Sequence, residues 1–140
     1  MHKNFNHKVK VYYEDTDAGG VVYYANYLNF LERARTESLV SLGFSNKKIK
    51  DEFGALIIVK SCSIDYKKSA YLEDELSIRS FVKSITKTSF FMNQFISRGE
   101  DVIVEAKVHL VFVNNKGKPI RIPGSLFQDF KPYFCDSIKV

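Results

Sequence analysis

The residues best suited to chemistry lie close to the N-terminus, in Tyr13-Glu14-Asp15-Thr16-Asp17-Ala18-Gly19-Gly20-Val21-Val22-Tyr23-Tyr24-Ala25-Asn26-Tyr27. Asp15 and Asp17 sit on a glycine-rich turn directly before a helical pattern. A carboxylate in that place can attack an activated carbonyl or take a proton from water. Free N–H groups at the start of a helix can polarise the carbonyl and hold the oxyanion that develops. Gly19 and Gly20 let a substrate approach the backbone closely. Hydrolysis of a thioester is one reaction such a layout can serve. The same residues also suit plain turn and capping chemistry. A calcium loop fits poorly: counted from Asp15, Gly19 holds the fifth position and Asn26 the twelfth, where an EF-hand needs a ligand and a glutamate.

Positioning such a loop requires rigid elements on either side. Phe5 to Glu14 reads as a strand, Asp15 to Gly20 as a turn, and Val21 to Tyr24 as a short apolar run. The spacing of Leu28, Leu31, Arg35, Leu39 and Leu42 predicts a helix over Ala25 to Leu42, with Phe30, Ala34 and Val40 widening its apolar surface. Gly43 is a natural stop. A second, short helix is expected over Ser45 to Phe53, with Ser45 or Asn46 as its cap. Strands are expected over Ala55 to Lys68, Leu76 to Ile85, Phe90 to Arg98 and Val102 to Val113. The last two are joined by a hairpin at Arg98-Gly99-Glu100-Asp101. Gly124 to Tyr133 reads as a short terminal helix. One long helix and an antiparallel sheet can bury each other, which gives an α+β class.

At 140 residues the chain suits one domain spanning 1–140. Its 45% hydrophobic and 26% charged residues, with 12 Phe and 8 Tyr, argue for a packed core rather than disorder. The net charge of +5 favours anionic partners without choosing among them. Lys and Arg are scattered, with no reading motif for nucleic acid, so no nucleic-acid partner is expected. Cys62 and Cys135 have no metal-ligand spacing and no disulfide framework. There is no apolar run long enough to cross a bilayer and no signal-peptide pattern, so membrane insertion is not expected and a cytoplasmic location is. Cys62, within an apolar strand, reads as a buried, inert thiol. His2 and His7 lie near a fraying or edge-lying terminus, and His109 shares a strand face with Glu105, Lys107 and Val111. None suggests a triad.

The Asp15–Tyr27 segment resembles the signature of the 4-hydroxybenzoyl-CoA thioesterase family, most of all its Tol–Pal-associated, YbgC-type acyl-CoA thioesterases. That pattern is an aromatic residue, D-x-D-x-x-G, a short apolar run and a small pair before Tyr. A helix carrying an E-R-A-R-T-E-like run follows, here Glu32-Arg33-Ala34-Arg35-Thr36-Glu37. The strand spacing and the Gly117-Lys118-Pro119…Ile122-Pro123 ending also agree. The resemblance implies a hotdog fold, an antiparallel sheet wrapped around the long helix. It implies a homodimer with active sites at the subunit interface, often paired into a tetramer. It makes Asp17 the catalytic carboxylate and the backbone N–H of Tyr24 the carbonyl-polarising donor. Many relatives carry His where this chain has Tyr24; the backbone group survives that change and a histidine side chain's role does not. On the same resemblance Gly19, Gly20 and Val21 are expected to line the substrate.

The substrate so implied is an acyl-CoA or an acyl carrier protein thioester, with no cofactor and no metal. CoA phosphates need cationic and hydroxyl donors. Within Lys83-Ser84-Ile85-Thr86-Lys87-Thr88-Ser89, the residues matching the family's phosphate contacts best are Lys87 and Ser89; a solvated turn is the plain alternative. Asp15 is expected to bond loop N–H groups, and Tyr13 and Tyr23 to pack. Glu32, Arg33, Arg35 and Glu37 are expected to form ion pairs or an interface. A hotdog module that binds an acyl-CoA or acyl carrier protein without hydrolysing it is the alternative function.

Overall fold

The computed structural model describes residues 3–135. The elements are β1 (Phe5–Lys10), α1 (Asn26–Ser41), α2 (Asn46–Phe53), β2 (Leu56–Tyr66), β3 (Glu75–Ile85), β4 (Ser89–Arg98), β5 (Asp101–Val113) and α3 (Gly124–Phe130). Among these residues the strands form one antiparallel sheet in the order β1-β3-β4-β5-β2. Apolar residues at alternating positions supply most of its inner face: Leu76, Ile78 and Val82 of β3, Met92 and Ile96 of β4, and Val104, Val108 and Phe112 of β5 are all buried. Phe30, Leu31 and Ala34 of α1 close over that face in the same core. The expected α+β architecture is present, and the sheet wrapped on a long helix is the hotdog arrangement.

Several expected boundaries move, each for a local reason. The first strand ends at Lys10 because Tyr13–Asp15 coils into a single 3₁₀ turn, held by a hydrogen bond from the Tyr12 N–H to Asp15 Oδ2 at 2.9 Å. α1 stops at Ser41, and Gly43 takes φ +86°, the left-handed conformation that ends the helix as expected. Ser45, not Asn46, caps α2 by accepting the Lys48 N–H at 3.0 Å. The terminal helix is a seven-residue α3 followed by a 3₁₀ turn over Lys131–Tyr133. Leu28, expected on the apolar stripe of α1, and Val40, expected to broaden it, are instead exposed.

β2 departs most from expectation. It lies at the sheet edge, and the register against β5 shifts between Val59 and Ser61, leaving Lys60 as the extra, bulged residue. Leu56, Ile58 and Val59 are each more than two-fifths exposed. Cys62, read from the sequence as buried, is exposed for the same reason. Its inertness has partial support: local desolvation still raises the thiol above its ordinary pKa, against the pull of nearby Arg35.

Candidate active site

The Asp-rich loop is pinned at the end of the sheet where β2 finishes and β3 begins. Val21 bridges to Tyr71, the Val22 N–H donates to the Ala70 carbonyl, and the Leu72 N–H donates to the Gly20 carbonyl. From the other side, the Ala70 N–H donates to the Tyr27 hydroxyl at 2.9 Å. Beneath, Arg98 donates to Asp74 at 2.8 Å and to the Ser69 carbonyl at 2.9 Å, while Asp74 accepts the Tyr71 N–H. The loop therefore rests on a cross-braced floor.

The two aspartates do different work. Asp15 is buried; its Oδ2 takes the Tyr12 N–H and its Oδ1 takes Asn26 Nδ2 at 2.7 Å. Its main-chain carbonyl accepts the Tyr23 N–H at 3.0 Å. It ties the loop to the first residue of α1, the structural role expected for it. Asp17 is exposed. Its Oδ1 accepts the Gly19 N–H at 2.8 Å, fixing the side chain in a local turn, and its Oδ2 has no protein partner among the described residues. Ahead of α1 the main-chain N–H groups of Tyr24 and Ala25 bond to no described residue, whereas that of Asn26 is already taken by the Tyr23 carbonyl. One loop thus carries a carboxylate oxygen and open backbone donors.

Aromatic rings border this place. Tyr24 packs edge-on to Tyr66 at 6.3 Å between centroids, and Tyr27 lies 5.5 Å from Tyr66. Burial raises both Tyr27 and Tyr66 above the ordinary phenol value, so these hydroxyls stay protonated near neutral pH and supply no base.

The two glycines are held by different constraints. Gly20 has φ +79° with open space where a Cβ would go, whereas a Cβ on Gly19 would stand 3.3 Å from Asp17 Oδ1. Gly20→Ala is therefore expected to cost about 1–2 kcal/mol of stability through its backbone. Gly19→Ala should melt nearly as wild type but lower turnover by displacing the carboxylate. Melting curves and rates measured side by side check the contrast.

Lys87 and Ser89 do not join Asp17 within one chain. Lys87 lies in the β3–β4 connection and Ser89 opens β4, so both sit at the far end of the 11-residue β3, a strand roughly 30 Å long. Ser89 is buried and its hydroxyl bonds Thr86 Oγ1 at 2.9 Å, so it shapes the turn; Lys87 is exposed. No group of three or more His, Cys, Asp or Glu among the described residues could hold a metal, and no described helix is long and apolar enough to cross a membrane. His109 stacks on Phe91 at 3.9 Å on the outer sheet face, away from the loop, and His2 lies outside the described residues.

Sequence reading passed over Gln94. It is fully buried under α1, donating from Nε2 to the Leu31 carbonyl and to Ser80 Oγ, each at 3.1 Å, and accepting Arg35 Nη1 at 3.0 Å. The only available signal was an amide at an inward position of an apolar strand.

A sheet wrapped on one helix, with a carboxylate loop at the helix tip, is the hotdog arrangement. A family model described as the thioesterase-like superfamily matches residues 11–130, and the chain belongs to that superfamily. It is 42% identical over 129 residues to the acyl-CoA thioester hydrolase YbgC of Escherichia coli, covering 91% of this chain and 96% of that one. It is 39% identical over 124 residues to the acyl-CoA thioesterase YbgC of Haemophilus influenzae, covering 88% and 91%. A crystal structure described as a "Probable Thioesterase from Bartonella henselae" superposes with a TM-score of 0.83 at 35% identity, over 86% of this chain and 100% of the other. A mutant 4-hydroxybenzoyl CoA thioesterase complexed with 4-hydroxybenzoyl CoA shares the fold, with a TM-score of 0.85 at 22% identity over 91% and 99%.

Proposed function

We propose that this chain hydrolyses acyl-CoA thioesters, with Asp17 facing the thioester carbon and the Tyr24 N–H polarising its carbonyl. The observation that carries this reading is the pairing, on one braced loop, of an uncommitted Asp17 oxygen with the open N–H groups ahead of α1. Gly19, Gly20 and Val21 form the surface on which the thioester lies. Asp17 Oδ2 can attack the carbonyl carbon and expel the CoA thiolate, giving a mixed anhydride that water cleaves to the free acid and the restored Asp17 carboxylate, or it can deprotonate a water that attacks the carbon and expels the thiol. Oxygen-18 from solvent appearing in the Asp17 carboxylate after a single turnover marks the first route. Acyl carrier protein thioesters present the same reacting group, and a shared panel ranks the two carriers.

The reading includes a second copy of the chain. β2 is an exposed apolar edge, and such an edge invites pairing. Two-fold pairing of β2 with its copy sets the Tyr66 end of one strand beside the Leu56 end of the other. The Leu56 end pairs with Val113, and the neighbouring Phe112 N–H donates to the Thr88 carbonyl in the β3–β4 connection. Pairing therefore brings Lys87 of one copy toward Asp17 of the other, where it can meet a CoA phosphate. Mixing and refolding Asp17→Asn with Lys87→Glu chains tests this. Each mixed dimer would regain one intact site, so about a quarter of the wild-type rate is expected at low acyl-CoA. If mixing restores nothing beyond the Lys87→Glu parent's own rate, the shared site is wrong.

A further inference from the structure

A cavity of about 120 Å³ lies between α1 and the sheet, well past the Asp17 loop. Leu39, Val59, Met92 and Leu110 are among its apolar walls, and Glu32, Arg35 and Thr36 form its polar side. Arg35 is eleven positions beyond Tyr24, about 16 Å along the helix axis. The cavity thus lies where the far end of a medium-length acyl chain would reach if its carbonyl sat at the Tyr24 N–H.

The polar side of this cavity is unusually furnished. The Arg35 guanidinium is held by one hydrogen bond, to Gln94, and no ion pair engages it among the described residues. Burial depresses its pKa from the ordinary value, partly countered by the nearby Glu32 carboxylate. Glu32 accepts from Thr36 Oγ1 at 2.6 Å, leaving further acceptor capacity beside Arg35. Arg35 is half-buried and Glu32 exposed, and the guanidinium keeps donors that a polar ligand group can engage. A carboxylate tip would meet Glu32 as well as Arg35. A hydroxyl suits both, accepting from Arg35 and donating to Glu32.

We propose that this cavity is the distal acyl pocket and that Arg35 and Glu32 select acyl groups bearing a hydroxyl far from the thioester. The proposal rests on the placement of the thioester at Asp17 and Tyr24. It assigns specificity to residues that never touch the reacting atoms.

The test compares kcat/KM for butyryl-CoA, decanoyl-CoA and omega-hydroxydecanoyl-CoA. The wild type should prefer the hydroxylated chain over decanoyl by about tenfold, the worth of one well-made polar contact. Arg35→Met should erase that preference and leave butyryl-CoA hydrolysis unchanged. Met92→Phe, which fills the cavity from the sheet, should lower both ten-carbon rates about tenfold and spare butyryl-CoA. Melting curves identify a variant that fails to fold, and the wild-type ratio together with the other variant still decides the matter. Equal wild-type rates on the two long chains, or a preference that survives Arg35→Met, would overturn the proposal. Failure of the wild type on butyryl-CoA as well would overturn the placement of the thioester itself.

Discussion

Asp17→Asn is expected to lower kcat for acyl-CoA hydrolysis by about 10³-fold, within the range general-base and nucleophilic carboxylates supply, while the protein melts as the wild type does. The asparagine carbonyl can still accept the Gly19 N–H that Asp17 Oδ1 accepts at 2.8 Å, so the local turn survives. The side chain is exposed and bonds nothing else among the described residues, so little stability depends on its charge. What disappears is the negative charge on the oxygen that bonds no described residue. Steady-state rates on a short acyl-CoA, set beside a melting curve, give the answer. A variant that retains turnover within about tenfold of wild type would sink the assignment of Asp17.

The largest stability loss is expected from Gln94→Leu, about 3 kcal/mol, or roughly a 10 °C fall in melting temperature for a chain of this size. Leucine fills similar space but leaves the Leu31 carbonyl, the Ser80 hydroxyl and the Arg35 guanidinium without the partner each has in the wild type. Leaving a buried polar group unpaired costs more than the pair itself contributes. Adding Ser80→Ala to Gln94→Leu should cost less than the two single changes summed, because one partner of the lost bond is already gone. Thermal unfolding of the four proteins in that cycle checks both statements.

The candidate loop was legible through its resemblance to a family signature; two carboxylates, two glycines and a helix start by themselves suit turn and capping chemistry equally well. The inner faces of β3 and β5 were legible because apolar residues recur at alternate positions along much of each strand, and Leu76, Ile78, Ser80 and Val82 do share the buried side. Periodicity misled where exposure depends on position in the sheet. Cys62 stands in an apolar strand, yet that strand is the edge, and the Lys60 bulge changes which side its neighbours face. Lys87 and Ser89 were matched to a family's phosphate contacts, and that match does not reveal that a whole strand separates them from Asp17 in the same chain. Gln94 was invisible because a single amide gives no pattern; its role comes from three groups remote in sequence that converge on it.

The bare margin of β2 has a consequence for handling the protein. Its peptide groups on that side find no partner among the described residues, and Leu56, Ile58 and Val59 flank them. Any loosened or partly assembled molecule therefore presents a template onto which further chains can add. Weakened variants such as Gln94→Leu should precipitate on heating rather than refold on cooling, and their melting temperatures will shift with scan rate. For those variants the half-life at a fixed temperature is the sounder measure of what each contact contributes.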